Sequence, residues 1–167
     1  MSFRLAAAAA VAAIIVVPGP AGAQVLTEKN VSVRMALAIA ETALAECGDR
    51  VSVAVVDRTG RLRVFLQGDG AAPHNIELAR RKAYTAETFG RTSLEWAQRT
   101  EVGAPSTGQN ITGQRVLTDV IPLQGGVPIK AGDVTIGGVG LSGAPMGGPQ
   151  EEACGKAGVA KVADQLK

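Results

Sequence analysis

The most chemically versatile side chain in the sequence belongs to its single histidine, His74, which follows the glycine-containing segment 68–70. An imidazole changes charge near neutral pH and is a frequent metal ligand, so His74 could bind iron or relay a proton. A lone histidine at the start of a helix is equally well a surface or capping residue. Both interpretations remain open at this point.

A second polar group lies further along the helix that follows His74. Lys82 and Thr85 are three residues apart, so they occupy neighbouring positions on one helical face, beside Tyr84. Such a face could form the polar rim of a pocket, with the Lys82 ammonium available to a carboxylate. A solvated helix surface is the alternative.

Residues 138–143 (GVGLSG) match the G-x-G-x-x-G pattern of dinucleotide-binding loops. A dinucleotide site also needs a helix that begins at the third glycine and a second βα unit, and Pro145 follows too soon for either. The missing side chains at Gly138 and Gly140 would instead let a helix, a second subunit or a flat ligand approach the strand. Ser142 is not predicted to be an acyl-transfer nucleophile. In the G-x-S-x-G elbow of esterases a glycine follows two residues after the serine, and that position is Ala144 here.

The first 23 residues have the organisation of a secretory signal peptide. Arg4 is followed by an apolar stretch over 5–17, by prolines, and by an A-x-A cleavage site at 21–23. We therefore predict a signal peptide over 1–23, a single mature domain over 24–167, and a periplasmic or secreted protein. No later apolar run approaches the ~20 residues of a membrane span, so membrane insertion is not expected.

Export would place both cysteines, Cys47 and Cys154, in an oxidising compartment, where they can form one disulfide. Two small, buried, apolar side chains on separate helices are the alternative. One histidine and two distant cysteines do not have the spacing of a structural metal site.

The composition restricts the class of protein further. The 167 residues carry a formal net charge of +2, and 46% of them are hydrophobic. This length suits one domain, and the composition is not that of a disordered chain. The near-neutral charge gives no electrostatic signature of a nucleic-acid partner.

Hydrophobic periodicity and turn residues predict the elements that would position these side chains. An apolar i+4 stripe predicts a first helix from about residue 27 to Cys47, and residues 51–66 predict a β-hairpin with a turn at Gly60. A second helix follows Pro73 and ends near Phe89. A short helix opened by a capping box at 92–95 comes next, followed by a loop over 103–113. Two further strands are predicted near 116–122 and 134–141, with a turn or strand edge at 125–129 between them. A final helix extends over about 150–166 and has its alanines on one face. This order predicts an α+β domain with an antiparallel sheet packed by helices.

Several strings of the chain, in this order, resemble those of the GlcG/HbpS haem-binding family, to which the C-terminal domain of PduO is related. The strings are 53–60 (VAVVDRTG), 68–71 (GDGA) with His74, 79–86 (ARRKAYTA), 125–129 (GGVPI), 138–143 (GVGLSG) and 151–154 (EEAC). Together they extend over about residues 26–166, which is nearly the whole predicted mature chain.

The resemblance implies a profilin-like α+β domain that assembles into homo-oligomers through its small-residue helices and glycine-rich strand. It also implies that the ligand is haem or a similar tetrapyrrole, with a role in redox sensing or haem handling. On this hypothesis, suggested by the helix around Lys82 and the lone histidine beside it, the ring would lie against Gly138 and Gly140, Arg80, Arg81 or Lys82 would pair with the propionates, and His74 or the Thr85 hydroxyl would approach the iron.

Two other functions stay open on the sequence alone. The protein could bind a small hydroxy acid such as glycolate, or assist an enzyme that does, with Lys82 and Arg80 as the anion clamp. It could also be an interaction partner of a sensor or another envelope protein, without a small ligand. No catalytic residue set is predicted.

Overall fold

The computed structural model describes residues 24–101 and 111–167, and within them four helices and four strands follow one another in the predicted order. Their bounds are α1 Val33–Cys47, β1 Ser52–Asp57, β2 Leu62–Gln67, α2 Asn75–Phe89, α3 Ser93–Arg99, β3 Gly126–Ala131, β4 Val134–Ser142 and α4 Gly148–Ala160. Two short 3-10 helices, Thr112–Val116 and Ala163–Gln165, complete the described elements.

The four strands form one antiparallel sheet in the order β2-β1-β4-β3. Side chains alternate between the two faces of a pleated strand. On β1, Val53 and Val55 therefore join the core beneath α1 and α4, while Ala54 and Val56 join Ala79 beneath α2. Helices cover both faces of the sheet, and the predicted α+β, profilin-like architecture is confirmed.

Capping side chains determine where two of the helices begin. The first helix does not begin near residue 27 as predicted. The Ser32 hydroxyl accepts a hydrogen bond from the Met35 N–H (3.2 Å) and caps the helix, so α1 begins at Val33. The predicted capping box of α3 is confirmed, with reciprocal hydrogen bonds between Thr92 and Glu95.

The buried carboxylate of Asp57 organises the turn between β1 and β2. Its Oδ1 accepts hydrogen bonds from the Thr59 N–H (2.9 Å), the Thr59 hydroxyl (2.7 Å) and the Arg61 N–H (3.1 Å). Gly60 completes the turn with a φ of +75°. Burial opposes the charged form, but these hydrogen bonds and the nearby Arg63 hold the pKa of Asp57 below its ordinary value of 3.8.

One predicted strand is wrong and another is displaced. Instead of a strand over 116–122, the 3-10 helix ends at Val116 and the next residues lie along α2. Their backbone bonds to α2 side chains and not to a neighbouring strand, since the Ile121 N–H donates to Thr85 Oγ1 (2.9 Å). The missing strand of the sheet is β3, which begins inside the segment 125–129 that was predicted to be a turn or strand edge.

The two cysteines are paired, which confirms the predicted disulfide. Cys47 is the last residue of α1 and Cys154 lies in the middle of α4, so the bond joins the two helices on the same face of the sheet. It closes a chain segment with a sequence separation of 107.

The predicted signal peptide over 1–23 lies outside the described residues, as do residues 103–110 of the predicted loop over 103–113. In the part of the chain that the structure describes, no helix combines the length and the apolarity that a bilayer span requires.

Candidate ligand site at helix α2

Helix α2 lies directly on the glycine-rich strand β4. A Cβ atom added at Gly138 would collide with the Ala83 carbonyl oxygen, and one added at Gly140 would collide with the backbone of Ala79 and Ala83. The sequence allowed a helix, a second subunit or a flat ligand to lie against this strand. The structure shows a helix of the same chain, α2, in that position. A ligand in this region would meet the outer surface of α2 and not the strand beneath it.

The Lys82 side chain is buried and bonded within the chain. Its Nζ donates to Glu151 Oε2 (2.6 Å) and to the Leu141 carbonyl oxygen (3.0 Å). The other carboxylate oxygen of Glu151 accepts a hydrogen bond from the Gly143 N–H (2.8 Å). Both charges are thus matched, as a buried ion pair requires. Gly125 makes the pair possible, because a Cβ there would collide with Glu151 Oε2 and the Leu141 carbonyl.

The sequence contained one signal for this ion pair, which was the acidic string at the start of α4. Nothing in the local pattern connected Glu151 to Lys82, because 69 residues separate them. From the sequence, Lys82 is expected at the rim of a pocket or on a solvated helix surface, and Gly125, a position that only glycine can occupy, is expected in a turn or strand edge.

The Thr85 hydroxyl holds the segment that follows the 3-10 helix. Thr85 is fully buried, and its Oγ1–H donates to the Arg81 carbonyl oxygen (2.8 Å) while accepting from the Ile121 N–H (2.9 Å). Both hydrogen-bonding functions of this hydroxyl are used inside the fold.

Two arginines of α2 bond to the residues just before Ile121, in different ways. The Arg80 guanidinium contacts Glu77 (2.9 Å) and Asp119 (2.6 Å), and these hydrogen bonds raise its pKa above the ordinary value. Asp119 has a φ of +71°, the sole positive φ of a non-glycine residue in the described ranges. Arg81 donates from Nη2 to the Val120 carbonyl oxygen (2.5 Å) and has no carboxylate partner among the described residues.

His74 lies at the exposed start of α2. It occupies the N-cap position without a side-chain capping bond, and its imidazole has no hydrogen bond to another residue that the structure describes. The next residue, Asn75, is buried and fixes this end of the helix to β4, because its Oδ1 accepts from the Ser142 hydroxyl (3.1 Å). The backbone beside His74 is therefore anchored while the imidazole stays accessible to solvent.

Comparison with known proteins identifies the family. A family model described as haem degrading protein HbpS-like matches residues 29–160. The chain is similar to the solved structure of a double mutant of HbpS from Streptomyces reticuli, with 32% sequence identity, a TM-score of 0.74, and coverage of 92% of this chain and 97% of that one. No curated protein matches the sequence.

Two more distant structures share the fold. The protein ORFY of Klebsiella pneumoniae has 20% identity and a TM-score of 0.72, with coverage of 85% of this chain and 97% of that one. A PduOC:heme complex has 23% identity and a TM-score of 0.68, with coverage of 80% and 95% respectively. The resemblance drawn from the sequence strings is confirmed, and the chain belongs to the HbpS-like family.

Proposed function

We propose that this chain is an exported, homo-oligomeric haem-binding protein with a role in haem handling. Family membership supports the ligand, because the family description names haem and the relative PduOC has been solved with heme bound. The observation that carries the proposal in this chain is an accessible imidazole, His74, at the anchored start of α2.

The residues around His74 fit the three needs of a haem group. Iron needs a ligand atom such as the free imidazole nitrogen of His74. The ring needs apolar contact, which the half-buried Leu78 offers one turn beyond His74 on the same face. The propionates need a cation, and Arg81 is seven residues beyond His74, about 10 Å along the helix axis on the same face.

Charge balance favours Arg81 over the other two cations for the propionates. Lys82 is buried against Glu151, and the Arg80 charge is offset by Glu77 and Asp119. Arg81 bonds only to a backbone carbonyl oxygen among the described residues, so its charge is the one still available to a carboxylate. Bound haem would supply a redox-active iron, and His74 and Arg81 would hold and orient it.

The test is a haemin titration of the purified protein, followed by absorbance in the Soret region. A saturable Soret shift at stoichiometric haemin is expected, and it should be lost or changed in His74→Ala. Lys161→Ala, at the exposed end of α4 on the opposite face of the sheet, is the control and should bind like the parent. No saturable shift in the parent protein would reject haem binding and leave the ligand-free interaction partner as the working hypothesis.

Export and assembly have support of their own. The Cys47–Cys154 disulfide is a bond that an oxidising compartment permits. Val33 and Leu37, one turn apart on α1, are 53% and 40% exposed, which supports an apolar contact between subunits. Protein recovered from the periplasm should begin at Gln24 by N-terminal sequencing, and light scattering should give a mass at least twice that of one mature chain.

The structure disfavours a small hydroxy acid as the ligand of this helix. That alternative depended on Lys82 and Arg80 as a free anion clamp, and both side chains are bonded to carboxylates of the same chain.

A further inference from the structure

Helix α4 packs on the core through an unusual set of side chains. Its buried positions are Glu151, Glu152, Cys154, Gly155 and Gly158, and none of them carries a large apolar group. Most helices are held to a core by an apolar stripe, whose burial supplies most of the stabilisation. The docking of α4 must therefore depend on other contacts.

The glycines of α4 allow its backbone to approach α1 and the sheet closely, but they contribute little stabilisation because they bury no side chain. A Cβ added at Gly155 would press on Val127 and Leu141, and one added at Gly158 would press on the Ile39 carbonyl oxygen and on Ala43. The helix thus covers apolar residues of α1 and the sheet with its own backbone. Glycines inside a helix also weaken the helix itself.

Three specific links in the first half of the helix supply further attachment: the Glu151 contacts, a hydrogen bond from Gln124 Nε2 to Glu152 Oε2 (3.1 Å), and the disulfide. In its first turn, Glu151 accepts hydrogen bonds from Lys82 and from the Gly143 N–H. One turn further, Cys154 is bonded covalently to Cys47 at the end of α1. Beyond the disulfide, the next apolar side chains are the partly buried Val159 and the buried Val162.

We propose that the disulfide is a redox-controlled latch for α4, and that the Glu151 contacts are the hinge about which the helix moves when the latch opens. A dithiol reductant would transfer two electrons and two protons to the bond, giving thiols at Cys47 and Cys154 and leaving the reductant as its own disulfide. The C-terminal part of α4 then separates from α1 and uncovers Ile39, Ala43 and Val127. This device is independent of haem binding.

The surroundings of the bond suit such a reaction. Both sulfur-bearing residues are buried, with 7% and 5% exposure, but Cys47 is the terminal residue of α1 and the next three residues are exposed. Fraying of this helix end is enough to admit a small thiol, because helix ends open at low free energy.

Hydrogen exchange read by mass spectrometry tests the latch on the unaltered protein. After reduction with dithiothreitol, peptides covering 154–162 should exchange at least about tenfold faster than peptides covering α2, whose own acceleration reports only the loss of global stability. A Cys47→Ser, Cys154→Ser double variant should show the fast α4 exchange without reductant and should not respond to it. Unchanged α4 exchange after reduction would overturn the proposal, and so would an equal acceleration in α2, which would mean that the bond holds the whole domain.

The hinge is tested in the same experiment. In the reduced protein, the double variant Lys82→Met, Glu151→Gln, which leaves no unpaired buried charge, should extend the fast exchange to residues 148–152, whereas in the oxidised protein it should change the exchange of 154–162 much less. Equal exchange of 148–152 in reduced parent and reduced variant would show that Glu151 is not the hinge.

Discussion

Lys82 on α2 and Glu151 on α4 meet at a distance of 2.6 Å although their helices cover opposite faces of the sheet. The pair passes the end of β4, where Lys82 also donates to the Leu141 carbonyl oxygen and Glu151 also accepts from the Gly143 N–H. The ion pair therefore ties the two helical layers together at one corner of the domain.

Breaking this pair should be strongly destabilising. Lys82→Met leaves the Glu151 carboxylate buried without its counter-charge, which is expected to lower the free energy of unfolding by about 3–5 kcal/mol. Urea denaturation measures the change. Lys156→Met is the matched control, because the Lys156–Glu152 pair is largely exposed on the lysine side and should contribute no more than about 1 kcal/mol. Similar losses in the two variants would contradict the structural role of Lys82.

The double variant Lys82→Met, Glu151→Gln provides the second arm of that test. It removes both charges, so it should be more stable than Lys82→Met alone. If the double variant is the less stable of the two, the penalty does not come from an unpaired charge.

The contact between α2 and β4 predicts intolerance to a single methyl group. Gly140→Ala would place a Cβ against the backbone of Ala79 and Ala83, so α2 must shift, at an expected cost of about 1–3 kcal/mol. Thermal unfolding would show a lowered Tm. Gly113→Ala is the control, since a Cβ there meets nothing and φ is not positive. A Tm for Gly140→Ala at or above that of Gly113→Ala would refute the close contact.

Asp57 makes the stability of the domain depend on pH. Because its pKa is lower in the folded protein than its ordinary value of 3.8, the carboxylate contributes stability above that pH, and the contribution disappears as the pH falls through the folded pKa. Asp57→Asn should thus be less stable than the parent at pH 7, by roughly 1–2 kcal/mol, and the two should converge in strong acid. Guanidinium denaturation across this pH range measures the difference, and a constant gap would exclude the ionised carboxylate as its source.

The two neighbouring arginines should differ in their effect on haem affinity. Arg81→Met is expected to weaken haemin binding about tenfold, equivalent to ~1.4 kcal/mol, because it removes the α2 cation that has no carboxylate partner within residues 24–101 and 111–167. Arg80→Met should leave the affinity within about threefold, since Glu77 and Asp119 already offset that charge. The reverse order of effects would reassign the propionate contact to Arg80.

The disulfide should be worth a large part of the total stability. Cross-linking residues 107 positions apart restricts the unfolded chain, and the loop-closure model gives about 4–5 kcal/mol for such a loop. The free energy of unfolding of the Cys47→Ser, Cys154→Ser double variant should fall by up to this amount in urea. A loss below about 1 kcal/mol would indicate that the chain remains compact when unfolded.

Local patterns predicted the helices α2 and α3 and the first hairpin because each depends on neighbouring residues: a stripe of alanines, a capping box, or an Asp-to-Gly turn. The failed strand near 116–122 has the composition of a strand, with Val120 and Ile121 both buried, but its backbone partners are side chains of α2. Hydrogen bonds to residues 36 or more positions away leave no local signature.

The candidate site likewise combines features that depend on neighbouring residues with features that depend on distant parts of the chain. His74 at the start of a helix could be predicted, as could the basic residues that follow it. The availability of each cation could not, because Asp119 and Glu151 take up the charges of Arg80 and Lys82 from distant parts of the chain. Likewise the alanines of α4 formed a regular pattern in the sequence, whereas its buried face contains Gly155 and Gly158, whose contribution is the absence of a side chain.

Three side chains of α2 hold three consecutive residues of another segment: Arg80 bonds Asp119, Arg81 bonds Val120, and Thr85 bonds Ile121. A ligand that moves the Arg81 guanidinium from its present position must therefore either release Val120 or carry that segment with it. The affinity for the ligand and the position of 119–121 are then thermodynamically linked, and the linkage acts in both directions. A partner protein that fixes residues 119–121 would change the affinity for the ligand by some factor. The ligand would change the affinity for that partner by the same factor.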